Sequence, residues 1–362
     1  PTCLFFLALP PRNLPRAKTR PPRLSRWGKG LGESRQRAPD THNLPLLELP
    51  SKARPFEAAM PTNGRPNMPK FHTLRVKEVR RETPECVSIS FEVPEELRSE
   101  FAFLPGQHLT LKAELDGEEL RRNYSICTAP QEGELRVAVK KLEGGRFSTF
   151  ANERLSPGTE LEVMTPSGSF HTPLSAEHRK HYVAFAAGSG ITPIISILKA
   201  VLHTEPHSRF TLFYCNRTKE STIFREELEA LKNRFLDRLS LYFLFTREKP
   251  GIELFHGRID APKLKALSEK LLDLEDVDEV FVCGPEPMIR AVRETLPALG
   301  FPERHIHFEL FTSPSGPLVP QAAGPAKARP QVVAQVEVTL DGNRYDLELT
   351  SNGESLLEAG LR

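Results

Sequence analysis

From residue 71 onward the chain sets apolar and polar positions in short alternating runs. Segments 71–80, 87–93, 108–113, 122–127 and 135–141 read as strands, several with a period of two. Pro105-Gly106, Asp116-Gly117 and Pro157-Gly158 punctuate them. Short strands separated by turn signals predict a small antiparallel barrel. After Pro173 the pattern changes. Apolar runs at 181–186, 210–214, 239–245, 280–283 and 305–309 read as strands, and helical patterns at 194–202, 224–235, 261–271 and 287–299 fall between them. In the second helix apolar residues recur at 224, 228, 231 and 235. This alternation predicts a parallel sheet wrapped by helices, with ligands at the C-terminal strand ends.

The flanks read differently. Pro and Arg dominate from Pro10 to Pro55 without a sustained period. Residues 1–59 carry 11 Lys+Arg against 4 Asp+Glu, so this piece holds +7 of a total of +2, and the remainder is near −5. Residues 4–9 are too short for a secretory core. The Arg-rich, acid-poor composition suits a transit peptide, but the prolines make a poor amphipathic helix. Met60 and Met68 stand just ahead of the first strand, so residues 1–67 are expected to be a disordered or non-native extension. At the other end, residues 313–331 read as a Pro/Gly/Ala linker. Segments 332–340 and 343–349 then form a hairpin pattern around Asp341-Gly342, and 352–361 opens a helix. Such a short piece is too small for an independent core.

Composition narrows the classes. The net charge of +2 gives no pull toward nucleic acid, and no apolar run approaches the ~18–20 residues that span a bilayer. The five cysteines show no C-x-x-C spacing, which argues against a zinc site or a disulfide framework. No metal-ligand set is identified, and the free thiols point to a reducing, cytoplasmic location.

Three motifs carry the chemistry: Arg122-Asn123-Tyr124-Ser125-Ile126-Cys127, Gly188-Ser189-Gly190-Ile191-Thr192-Pro193 and Cys283-Gly284-Pro285. In this order, on a strand-rich half followed by an α/β half, they resemble the ferredoxin-NADP reductase family of flavoenzymes. That family carries electrons from a nicotinamide through FAD to a one-electron acceptor. The resemblance implies a multidomain architecture: an antiparallel β-barrel FAD domain (68–175), an α/β parallel-sheet NADP domain (176–312) and a partial α+β ferredoxin-like domain (332–362).

On the barrel, Arg122 has the rigid fork that holds a phosphate. Tyr124, two residues on, shares its strand face and can stack on a flavin ring. Ser125 points to the other face by alternation, so its hydroxyl needs a strand end or bend to reach flavin N5, a placement that the resemblance supplies. Leu104-Pro105-Gly106-Gln107-His108 resembles the turn entering the strand beneath the flavin. In the stretch from Val139 and Lys140 to Thr149, Gly144-Gly145 reads either as a tight turn or as a pyrophosphate site before a helix from Ser148. The resemblance selects the second reading and adds Gly145, Phe147, Ser148 and Thr149. Residues 161–169 resemble the family's closing strand and loop, although a plain strand and turn explain them almost as well.

On the α/β half, Gly188 and Gly190 let the backbone approach a dinucleotide, and Thr192 and Pro193 open the helix behind them. Asn216-Arg217 follows the second strand, where an acidic residue usually holds the ribose of NAD. Arg217, with Lys219 and Arg225 nearby, suits the 2′-phosphate of NADPH and favours it over NADH, against the alternative of a solvated basic loop. Cys283, Gly284 and Pro285 resemble the turn beside the nicotinamide, with a buried structural cysteine as the alternative. Glu309 resembles the terminal carboxylate that relays a proton to N5 through Ser125.

The C-terminal hairpin and helix look like the start of a plant-type ferredoxin, and its [2Fe–2S] cysteines are absent from this chain. A truncation at Arg362 is therefore expected. The domain order resembles the reductase components of multicomponent oxygenases, that of phenylacetyl-CoA epoxidase among them. It implies FAD, NADPH and, in the longer protein, a [2Fe–2S] cluster, with an oxygenase as the electron acceptor. The alternatives are an NADH-dependent reductase of another oxygenase, a flavohaemoglobin-like or stand-alone reductase, and a non-catalytic flavin- or nucleotide-binding sensor.

Overall fold

Asp116 and Gly117 both take positive φ (55° and 78°), the geometry of a two-residue type I′ hairpin turn. They join β3 (His108–Leu115) to β4 (Glu118–Ser125) in tight antiparallel register, with Leu115 opposite Glu118 and His108 opposite Ser125. The tight turn makes β4 begin four residues before the expected 122. It also makes Ser125 the last residue of the strand.

The computed structural model describes residues 70–249 and 251–311, and the backbone of two further strands, 333–340 and 343–350. The expectations for residues 1–67, the linker at 313–331 and the helix at 352–361 lie outside the described residues.

β1 (Phe71–Thr83), β2 (Cys86–Glu92), β5 (Leu135–Lys140) and β6 (Glu160–Met164) complete an antiparallel sheet in the order β4-β3-β6-β1-β2-β5. An Ile126–Val137 bridge and the Cys127 N–H donating to Arg136 O at 2.9 Å close it into a barrel. Alternate residues Leu74, Val76, Ile89, Leu109, Leu111, Val137, Val139 and Val163 fill its interior. The helix α1 (Arg146–Glu153) buries Phe147 and Ala151 against this core. It starts at Arg146, two residues before the expected Ser148, with Gly145 as its cap.

The second half is a parallel sheet in the order β11-β10-β7-β8-β9: β7 (His181–Ala187), β8 (Arg209–Asn216), β9 (Leu239–Phe245), β10 (Glu279–Cys283) and β11 (Ile306–Glu309). Strands buried on both faces need apolar side chains on both. Tyr182, Ala184 and Ala186 of β7 face α2 (Ile191–Thr204) and α3 (Arg225–Arg234). Val183 and Phe185 face α4 (Ala261–Leu271) and α5 (Glu286–Ala298). α2 begins three residues before the expected 194, because Pro193 falls in its first turn, where no N–H is required.

The barrel packs on the α2 side. Cys86, Cys127, Ala138 and Phe170 share one apolar cluster with Ile194, Ile197 and Leu198. Polar contacts fix the orientation: Ser196 Oγ donates to Thr128 O at 2.6 Å, and the buried Lys199 ammonium sits between Glu132 (2.8 Å) and Glu227 (2.9 Å). Strands β12 (Val333–Leu340) and β13 (Asn343–Thr350) pair antiparallel from Leu340–Asn343 to Val333–Thr350, as the hairpin pattern predicts.

Candidate active site

The two halves meet at strand ends. After β7 the chain turns through Gly188–Gly190 into α2, and after β10 it turns through Gly284 and Pro285 into α5. The two turns touch backbone to backbone: a Cβ on Gly190 would stand 2.1 Å from Cys283 O and 2.9 Å from Gly284 N. Gly190 has an ordinary helical φ of −62°, so this close approach is what requires glycine. Gly188 differs: its φ is +53°, a Cβ there would make only an ordinary contact with the end of Lys140, and its carbonyl accepts from Tyr214 Oη at 3.0 Å. Pro285 caps α5, its carbonyl accepting from Met288 N at 2.9 Å.

Cys283 and Glu309 are opposite each other in the parallel β10–β11 register. Across the domain boundary, Ser125 Oγ donates to Glu309 Oε2 at 3.3 Å. Glu309 is largely buried, and that burial pushes its carboxyl up to about 7. Burial also pushes the Cys283 thiol well up, and the Glu309 charge adds to the effect. The thiol is therefore held neutral and is a small apolar wall, not a nucleophile. His108, opposite Ser125, brings Nδ1 to 3.9 Å from Glu309 Oε1 and Nε2 to 3.3 Å from Ser167 Oγ. The sequence pattern marks His108 only as the end of a turn. Its one signal there is a position at the start of a strand whose partner ends at Ser125.

On the barrel, Arg122 and Tyr124 share one face of β4 as alternation requires. Arg122 Nη1 donates to Arg121 O at 2.7 Å, and the Tyr124 ring rests 5.5 Å from that of Phe147. Ser148 Oγ accepts from Leu142 N and donates to Gly145 O, both at 3.1 Å, so this hydroxyl shapes the turn ahead of α1. Thr149 N donates to Gly145 O at 2.9 Å. Val139 and Phe147 are packed in the barrel core, which leaves only their backbones for a ligand. No acidic residue lies in the first turn of α1.

The α/β half supplies the complementary donors. Lys140 Nζ stands 3.9 Å from the Cβ position of Gly188, so a barrel cation overlooks the Gly188 turn. Thr192 Oγ1 donates to Ser189 O at 3.0 Å and holds that turn closed, with Pro193 buried behind it. Asn216 ends β8 with its side chain buried. Its carboxamide lies beside the Tyr214 hydroxyl, whose charged form it stabilises by hydrogen bonding. Arg217 follows, exposed, its carbonyl accepting from Arg247 N at 3.0 Å. Arg225 is committed to Glu229 at 3.0 Å. Among the described residues neither Lys140 nor Arg217 makes an ion pair. A bare helix start, two cations without an ion pair and a buried carboxamide form a donor set suited to dinucleotide phosphates and ribose.

A barrel and a parallel sheet meeting at such donors define a two-nucleotide oxidoreductase. Residues 73–172 match the model of the oxidoreductase FAD-binding domain, and 185–294 that of the oxidoreductase NAD-binding domain. The chain belongs to the ferredoxin-NADP reductase family and is a flavin-dependent NAD(P)H oxidoreductase. It is 45% identical over 295 residues to a component of the 1,2-phenylacetyl-CoA epoxidase of Escherichia coli strain K12, covering 82% of each chain. It is 37% identical to the ferredoxin reductase component of 3-ketosteroid-9-alpha-monooxygenase of Rhodococcus rhodochrous, over 76% of this chain and 75% of that one. The flavohem-like FAD/NAD binding domain of nitric oxide dioxygenase from Vibrio cholerae superposes with a TM-score of 0.57 at 25% identity, over 66% of this chain and 98% of that one. Among the described residues no helix is long and apolar enough to cross a membrane.

Proposed function

We propose that the chain is an NADPH-dependent reductase that feeds electrons one at a time to an oxygenase of the phenylacetyl-CoA epoxidase kind. The observation that carries this reading is the Ser125–Glu309 hydrogen bond, which joins the barrel motif to the last strand of the nucleotide domain beside Cys283. Bound FAD supplies the conversion of a two-electron hydride into single electrons. The residues do the rest. Arg122 and the amino end of α1, with Gly145, Ser148 and Thr149, hold the FAD phosphates, and Tyr124 covers its ring. Gly188, Gly190, Thr192, Pro193 and Asn216 seat the nicotinamide nucleotide, with Lys140 above the Gly188 turn. Cys283, Gly284 and Pro285 leave room for the nicotinamide, and Ser125 places a hydroxyl at N5 with Glu309 behind it.

The acceptor assignment rests on the names of the two curated relatives, both components of oxygenases. The antiparallel β12–β13 hairpin supports reading this part of the chain as ferredoxin-like.

NADPH preference rests on Arg217, the exposed cation that follows Asn216 at the end of β8. Exchange to glutamate replaces attraction for a 2′-phosphate with repulsion. Charged hydrogen bonds of ~1.5–3 kcal/mol translate into a fall of about 10- to 100-fold in the NADPH/NADH ratio of kcat/KM for R217E. Steady-state kinetics with both nucleotides measure it. An unchanged ratio removes Arg217 from nucleotide selection, and a wild-type preference for NADH removes the NADPH assignment.

A further inference from the structure

β11 carries Glu309 to the site, yet little apolar packing holds this strand. It is four residues long, stands at the edge of its sheet and pairs only with β10. Ile306 is its one buried residue, while Phe308, Leu310 and Phe311 are exposed. A polar grip lies at the other end of the strand pair. Glu279 opens β10 with its side chain buried. Lys180 Nζ donates to its Oε1 at 2.9 Å, and His307 Nε2 and His305 Nδ1 lie 2.9 and 3.4 Å from its Oε2. An ionised carboxylate only accepts, so both imidazoles donate to it.

The register connects this grip to the site. Phe281 is opposite His307 and Cys283 is opposite Glu309, on one face of the strand pair. The His307 ring stacks on Phe281 at 4.7 Å, and Phe170, in the segment after β6, meets Phe281 edge-on at 5.5 Å. Three successive levels of that face are Glu279 with His305, Phe281 with His307, and Cys283 with Glu309. We propose, resting on the reading of Glu309 above, that Glu279 is a positioning residue for hydride transfer. By holding His305 and His307 it fixes where β11 lies along β10, and so keeps Glu309 beside Cys283 and against Ser125. Without it, an edge strand bonded on one side alone frays readily.

The surroundings keep the grip constant. Lys180 precedes β7, and His305 and His307 come from the turn before β11 and from β11 itself. The Tyr182 hydroxyl of β7 is held neutral by burial, Glu205, Glu279 and Asp278. His171, after β6, has its imidazole lowered by burial and then by His307. Burial alone would raise the Glu279 carboxyl, but the His307 and Lys180 hydrogen bonds and charges outweigh it and hold it down at about 2. Glu309 differs, since burial raises it to about 7. Slack in β11 admits water to Glu309 and lowers it. The direct field of Glu279 is weak there. Four residues of strand, about 13 Å, separate the two levels, beyond the ~10 Å over which salt screens.

Carbon-13 NMR of the full chain, without flavin and with oxidised FAD bound, follows the Glu309 carboxyl against pH. Glu279→Gln keeps the shape and removes the charge. His307→Phe keeps a ring on Phe281 and removes the donor to Glu279. Both variants lower the Glu309 midpoint by about one pH unit. A field effect gives a different pattern, because losing the His307 donor leaves that midpoint in place or raises it. An unmoved or raised midpoint in either variant overturns the proposal. If E279Q does not fold, H307F decides by the same criterion. In the FAD-loaded chain, E279Q bleaches about tenfold more slowly at saturating NADPH, with nucleotide affinity unchanged. An unchanged saturating rate also overturns the proposal. A wild-type chain that never bleaches defeats the function proposed above, while the flavin-free titration still decides whether Glu279 holds Glu309 in place.

Discussion

Alanine at Gly190 lowers the melting temperature by several degrees and slows flavin reduction by nicotinamide nucleotide at least about 100-fold. The backbone angle at Gly190 suits any residue, so the whole effect is steric. The added methyl would sit 2.1 Å from the carbonyl oxygen of Cys283, and backbone cannot swing aside as a side chain does. Overpacking of this kind costs about 1–3 kcal/mol, and a misplacement near 1 Å at a reacting centre costs on the order of 100-fold in rate. Both turns assigned above to the nucleotide move together, because Gly190 of one touches Cys283 and Gly284 of the other. Gly188→Ala is the contrast. Its methyl meets only the flexible end of Lys140 at an ordinary 3.9 Å, so its cost is that of the left-handed backbone, about 1 kcal/mol. Calorimetry and stopped-flow bleaching of the two variants separate the effects. A G190A chain that bleaches like G188A contradicts the backbone contact.

Alanine at Ser125 slows the hydride step by about 100- to 1,000-fold, within the range typical of a positioned proton-handling group. It also changes the pH dependence. Burial raises the Glu309 carboxyl to about 7, and the hydrogen bond from Ser125 opposes that rise by stabilising the carboxylate. Without the hydroxyl the carboxyl rises further. The inflection near neutrality in the bleaching rate therefore moves to higher pH in S125A. The linkage to stability has the same sign: a carboxyl raised in the folded state stabilises the fold below its unfolded value, and that contribution fades as pH rises through about 7. Bleaching rates from about pH 5.5 to 8.5 test the shift. An inflection that stays in place assigns it to another group.

The two halves are legible in the sequence because their periods differ. Two-residue alternation in the barrel and apolar strands separated by helices in the second half leave few other architectures. Local chemistry also shows through. Asp116-Gly117 signals a tight turn, and Pro193 suits a helix start. The element edges are harder to place. α1 starts early because Ser148 bonds back to the turn ahead of it, and Phe224 caps α3 in a left-handed conformation (φ 58°) that local propensity disfavours for a bulky residue. Val139 and Phe147 fall within a ligand-binding pattern, whereas the barrel needs their side chains for its interior. The contacts that make the site are the least local of all. Ser125 and Glu309 are 184 residues apart, and Lys199 meets Glu132 across 67. The resemblance alone points to the Ser125–Glu309 pair, and nothing in the residue pattern marks Lys199 with Glu132. His108 is hidden for the same reason, since its meaning comes from the strand register that sets it opposite Ser125.

The most direct measurement is the visible spectrum of the chain loaded with FAD, followed during anaerobic addition of NADPH. Tight binding of the flavin and its bleaching by one equivalent of NADPH, faster than by NADH, is the expected result. A chain that binds no flavin, or binds it and stays yellow with either nucleotide, contradicts the assignment of Ser125, Glu309 and the two glycine turns to flavin reduction.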